Sequence, residues 1–209
     1  MITISSKLSG TYQSAMIAAA GCSSVYVVDS ENASVGCGIL VGLALRYLRD
    51  GMTASAIAEK LQEDKKKIVV IALLDTLEYL KRGGRISKAA AFAGGLLNIK
   101  PVISIADGEI QLLGKARGSK MGNNLLAQQI QKVGGIDFTK PVLLGYTGLS
   151  DVLLQKYIED NSYLWSASLD AVSLCEHWKR HWRPCRPRCD CCGLFPKICV
   201  LKNTFLLFP

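Results

Sequence analysis

Strand, polar loop and helix follow one another twice within the first fifty residues, and this repeat constrains the fold more than any other feature of the chain. Ile2-Thr3-Ile4 reads as the end of a strand, Ser5 to Gly10 as a polar loop and Thr11 to Ala20 as an alanine-rich helix. Val25 to Ser30 reads as a second, buried strand. Gly36 to Asp50 spaces Leu40, Leu43, Ala44, Tyr47 and Leu48 along one helical face and closes at Gly51. Thr53 is placed to cap a short helix through Leu61, and the charged run Glu63 to Lys67 marks a solvated boundary. Successive βα units predict an α/β fold, a doubly wound sheet with helices on both faces.

The pattern changes after residue 66. Ile68 to Leu73 is an apolar strand that leads through Thr76 to Leu80 into the glycine break Gly83-Gly84. Pro101 to Ala106 and Glu109 to Leu113 are extended segments joined by Asp107-Gly108, and both turn residues tolerate the positive φ of a tight hairpin. Gly118 to Val133 reads as a helix, Pro141 to Tyr146 as a strand and Ser150 to Asn161 as a helix. Residues 67–172 are therefore expected to form a smaller α+β domain with a mixed sheet. From Cys175 the composition turns to Trp, Arg, Cys and Pro, and no strand or helix period survives. Residues 173–209 are read as a Cys/Arg-rich tail without a stable fold.

The net charge of +8 suggests a nucleic-acid partner until its distribution is considered. Residues 1–172 hold 18 Lys and Arg against 15 Asp and Glu, whereas residues 173–209 hold 7 against 2. The basicity thus belongs mainly to the tail, and no nucleic-acid partner is expected for the body. Cysteines divide the same way, with Cys22 and Cys37 in the body and six from Cys175 onward. Two scattered cysteines suit a reducing compartment. No apolar run approaches the ~20 residues that span a bilayer, and the opening residues lack the order of a signal peptide. A cytoplasmic location is expected.

The loop Ser5-Ser6-Lys7-Leu8-Ser9-Gly10-Thr11 places hydroxyls and a glycine at a strand-to-helix junction. Unpaired N–H groups and the positive end of the helix dipole can hold a carboxylate or phosphate there without a metal. Ser9 is best placed to add a hydroxyl donor; the alternative is that these residues only cap the helix and shape the turn. The spacing of a nucleotide-binding P-loop is missing. Residues 1–172 contain no histidine, so no Ser-His triad can form in the body, and the Gly-x-Ser-x-Gly elbow is absent. A second polar cluster, Lys81 to Lys88, sets Arg82 and Arg85 around Gly83-Gly84, and Lys115-Ala116-Arg117-Gly118 repeats that chemistry at a helix mouth. Each could bring a guanidinium to an oxyanion or stand as a solvated basic turn.

Read together, five blocks resemble the bacterial DegV family in order and spacing. They are Ile4 to Ala15, Val27 to Ser30, Thr76 to Ser87, Leu97 to Pro101 and Lys115 to Gly118. The resemblance covers residues 1 to about 172. It implies a fatty-acid-binding protein related to the B subunits of bacterial fatty-acid kinase. An acyl chain such as palmitate or oleate would lie between two domains, with its carboxylate at a serine. By the family motif that serine is Ser9, flanked by Gly10 and Thr11, with Arg85 and Arg117 as candidates for the polar mouth or the kinase-facing surface. The chain itself would be non-catalytic and need no cofactor. An ATP-binding kinase subunit would transfer the phosphoryl group, and lipid handling leaves room for transient contact with a membrane.

The family pattern opens with a further N-terminal portion and closes with a Gly-Thr-His segment. Residues 1–66 are accordingly read as the remnant of an N-terminal domain, and the tail as the product of a shifted reading frame. Two other functions are weighed against lipid binding. His177, His181, Cys185, Cys189, Cys191 and Cys192 could hold zinc for nucleic-acid binding, although the Cys-x-x-Cys spacing of common fingers is absent. A small-molecule transferase using Ser9 or Arg85 is the other.

Overall fold

The structure is a computed structural model. It describes residues 1–86, 98–146 and 151–165, together with the backbone of strands Val172–Leu174 and Leu201–Leu207. In chain order these form β1 (Ile2–Thr3), α1 (Thr11–Ala19), β2 (Val28–Asp29), α2 (Val35–Arg49), α3 (Ala54–Asp64), β3 (Val69–Leu74), α4 (Glu78–Arg82), β4 (Ile99–Ala106), β5 (Glu109–Arg117), α5 (Gly118–Lys132), β6 (Val142–Leu144), α6 (Val152–Asp160), α7 (Ser162–Trp165), β7 (Val172–Leu174) and β8 (Leu201–Leu207).

The α/β class expected from the sequence holds. β1 and β2 pair in parallel, with Ile2 opposite Val28 and Thr3 opposite Asp29. The central sheet runs β5-β4-β3-β8 and is antiparallel at every junction, while β6 and β7 form a second parallel pair. The hairpin read from Asp107-Gly108 is present. Ala106 faces Glu109 across a two-residue turn in which Asp107 and Gly108 adopt φ of 51° and 78°, the geometry whose twist matches that of the flanking strands. Thr53 caps α3 as its position suggested, its Oγ1 accepting the Ala56 N–H at 3.3 Å.

β3 organises the interior because it is apolar at every position and buried on both faces. Ile71 and Leu73 join Val102, Leu126, Ile130, Leu154, Tyr157 and Trp165 in one core layer, where α5, α6 and α7 cover the sheet. On the opposite face Val70 packs with Val28, Ile39, Leu40, Leu43 and Leu61 of β2, α2 and α3. Further along that face Ala72 and Leu74 meet Leu77, Leu80, Ile86 and Ile103. The helices therefore sit against β3 by period-two alternation of its side chains.

Two local expectations need correction. Only Val28–Asp29 of the apolar run Val25 to Ser30 forms ladder, since β1 presents two residues to pair, and Val25 and Tyr26 are exposed. The tail, read as lacking any strand, contributes β8, which pairs antiparallel with β3 from Leu207 opposite Val69 to Leu201 opposite Leu74. Local periodicity carries no signal for that pairing. Among the described residues no helix is long and apolar enough to cross a membrane.

Candidate functional site

The loop between β1 and α1 is shaped by its first residue. Ser5 is fully buried. Its N–H donates to the Asn32 carbonyl at 2.8 Å, and its own carbonyl accepts the N–H groups of Leu8 and Ser9 at 3.0 and 3.1 Å. The Ser5 hydroxyl donates to the Gly108 carbonyl at 2.7 Å and accepts the Lys7 N–H at 3.2 Å. Every polar group of the residue is thereby used, as burial demands. Asp29, at the end of β2, supports the loop from the other side: its carboxylate accepts the N–H of Ser6 at 3.1 Å and that of Glu31 at 3.0 Å. Lys65, almost wholly buried, is satisfied by the Asp29 carbonyl at 3.1 Å and the Glu31 carboxylate at 2.8 Å.

Ser9 is half-buried, and Gly10 and Thr11 are exposed. The hydroxyls of Ser9 and Thr11 lie 2.8 Å apart, and Ser9 Oγ accepts the Thr11 N–H at 3.3 Å. Gly10 stands at the N-cap of α1 and has no side chain to cap with, so the Ser9 hydroxyl is the side-chain acceptor at the helix start. Two hydroxyls thus flank a helix start whose dipole favours an anion.

Beside this loop lies a groove of about 630 Å³. Leu8, Ile86, Ile110 and Leu112 give it apolar patches, and Lys7, Arg85, Glu109 and Gln111 line it as well, so two cations and one carboxylate face it. Arg85 is tied down rather than free: its Nε donates to the Leu8 carbonyl at 3.0 Å, and one terminal N–H group donates to the Gly83 carbonyl. Lys7 meets Glu109 at 3.7 Å, both side chains half-exposed or more. That pair adds little to stability.

The residues singled out from the sequence therefore separate. Arg85 lines the groove with Leu8, whereas Ser9, Gly10 and Thr11 follow Leu8 in the chain and are not part of its lining. Arg117 does not join them. It is exposed at the far end of β5, opposite Ile99 and five positions past Leu112, or roughly 16 Å of strand. Sequence reasoning passed over Ser5 and Gly108, whose contact spans 103 residues and leaves no local signal. Ser87, Lys88 and the histidines and cysteines of the tail lie outside the described residues.

The Cys37 thiol is not activated. Cys37, half-buried, has its thiol 3.2 Å from the Ser30 hydroxyl, and burial pushes that thiol's pKa up, which keeps it protonated. Among the described residues no group of three His, Cys, Asp or Glu side chains converges on a metal position. What the region offers is a pair of hydroxyls at a helix start and, beside the same loop, a groove of mixed polar and apolar lining.

Comparison with known proteins identifies the family. The sequence profile of an uncharacterised protein family, DegV, matches residues 1–162. A DegV domain-containing protein of Caldanaerobacter subterraneus is 37% identical over 141 residues, which are 66% of this chain and 50% of that protein. A fatty acid-binding protein of Thermotoga maritima is 36% identical over 135 residues, 63% of this chain and 47% of its own length. The solved structure of a DegV family protein from Thermus thermophilus, described for its fatty acid binding, shares 26% identity and superposes with a TM-score of 0.70 over 99% of this chain and 69% of that one. The chain spans about half the length of the curated relatives it matches. With matched profile, matched relatives and matched fold, the chain belongs to the DegV family.

Proposed function

We propose that this chain binds a long-chain fatty acid, seats its carboxylate at Ser9 and Thr11, and presents it to an ATP-binding kinase subunit in the cytoplasm. The observation that carries the reading is the adjacency of Leu8 and Ser9: one residue lines the groove, and the next supplies a hydroxyl at the start of α1. A groove of about 630 Å³ lies within the ~300–1,000 Å³ usual for small-molecule sites. Family membership supports the ligand class, since relatives carry that description. The kinase partner rests on the family resemblance of the sequence blocks.

The two parts of such a ligand would contribute unequally. Burying roughly 14 methylenes at about 0.8 kcal/mol each is worth on the order of 11 kcal/mol before the costs of association. A hydrogen bond to a charged carboxylate contributes about 1.5–3 kcal/mol. Affinity would come from the acyl chain and orientation from Ser9. Arg85, beside the mouth, would add a cation, and Arg117, set apart on β5, fits a partner-facing surface better than the head-group position. Mass spectrometry of lipid extracted from protein purified out of bacteria tests the reading. Recovery of C16 to C18 fatty acids at near-stoichiometric yield is expected, and lipid-free protein that stays lipid-free after incubation with palmitate would refute it.

A further inference from the structure

We propose that Ser5 and Gly108 form a positioning clamp that aims the Ser9 hydroxyl. The inference rests on the reading of Ser9 as the carboxylate contact. Ser5 is the hub of the loop: its carbonyl accepts the Ser9 N–H at 3.1 Å, so any movement of Ser5 moves the Ser9 backbone with it. The loop's reference point lies on another element. Ser5 Oγ donates to the Gly108 carbonyl at the tip of the β4–β5 hairpin, and that oxygen has no substitute donor if the hydroxyl is removed from this fully buried position.

Gly108 is required for two separate reasons. Its φ of 78° disfavours any residue with a Cβ, and a Cβ built there would lie 2.6 Å from Ser5 Oγ. A side chain at 108 would therefore drive the hydroxyl out of its site. Arg85 gives the loop a second fixed point, through its bond to the Leu8 carbonyl one residue before Ser9. Hairpin tip and α4 turn thus hold the loop at both ends of the segment Ser5 to Leu8. Ile110 and Leu112 of the groove wall lie past the hairpin tip, paired across the ladder with Ile105 and Ile103, so the wall is held apart from the Ser5–Gly108 contact.

The test compares oleate with oleyl alcohol, which has the same chain without the carboxylate, on wild type, Ser5→Ala, Gly108→Ala and the double variant. Positioning predicts that each single variant lowers the acid-over-alcohol preference by about tenfold while alcohol binding holds, the loss of one well-aimed charged hydrogen bond. The double variant is expected to fall no further than the worse single, because both act through one contact. Where Ser5→Ala gives no cooperative unfolding transition, Gly108→Ala is read by the same criteria. Equal loss of acid and alcohol binding, or an unchanged preference in folded variants, overturns the clamp. Wild type that binds neither ligand overturns the fatty-acid reading instead, so the two failures are distinct.

Discussion

Tyr47→Phe should cost this protein stability in a way that depends on pH at both ends of the scale. The Tyr47 hydroxyl donates to Asp64 Oδ2 at 2.5 Å, joining α2 to the end of α3, and the other carboxylate oxygen accepts from Lys67 at 3.0 Å. Asp64 is 6% exposed, so little water reaches its carboxylate to replace a lost donor. Hydrogen bonds to charged groups contribute about 1.5–3 kcal/mol, and Phe fills the same volume, which puts the expected cost near 2 kcal/mol at pH 7. Burial alone would raise the Asp64 pKa, but the hydrogen bonds from Tyr47 and Lys67 and the charges of Lys67 and Lys60 outweigh it and hold the carboxyl below its ordinary value. A depressed folded pKa gives stability that is present above the unfolded value near 4 and lost as pH falls through the folded value. The gap between wild type and variant should therefore shrink below about pH 4. At the other end burial, and then the neighbouring carboxylate, push the Tyr47 phenol up to about 12. A raised folded pKa gives stability that is present below about 10 and lost as pH rises toward 12, and Phe has nothing to lose there. Urea unfolding at pH 3, 7 and 11 measures the gap directly. A gap below about 0.5 kcal/mol at pH 7, or one that is flat from pH 3 to 7, refutes the reasoning.

Three further outcomes follow from single side chains. Leu126→Ala, at a position with no exposure on the buried face of α5, should lower unfolding free energy by about 2–5 kcal/mol by leaving a cavity, measured by urea denaturation. Thr53→Ala should cost about 1 kcal/mol and show as a lower thermal midpoint, since the Ala56 N–H loses its cap. Ser9→Ala should weaken oleate binding by roughly 10- to 100-fold, the equivalent of one charged hydrogen bond, while leaving the alcohol unaffected. With a kinase subunit present, the same variant should lose acyl-phosphate formation; unchanged formation counts against its assigned role.

What the sequence revealed was what local chemistry decides. Asp107-Gly108 announced the hairpin because only residues tolerant of positive φ fit a two-residue turn, and Thr53 announced its cap because hydroxyl and N–H are three residues apart. The Ser9–Gly10–Thr11 helix start was legible for the same reason. Long-range relations were not. Val25 and Tyr26 look like strand but find no ladder partner, whereas Leu201–Leu207 looks like nothing in particular and completes the central sheet on β3. Arg85 and Arg117 carry equivalent motifs, and only the register of β5 separates them. Ser5 reads as one hydroxyl among several until Gly108, 103 residues away, is brought against it.

The central claim is that the groove with its apolar patches and the hydroxyls of the adjoining loop accept a fatty acid as one unit. Calorimetric titration of delipidated protein with oleate tests it most directly. The account predicts one saturable site whose enthalpy becomes more negative with temperature, the mark of apolar burial, and which is weakened when the methyl ester replaces the acid. No saturable heat with folded protein, or equal affinity for acid and ester, would contradict it.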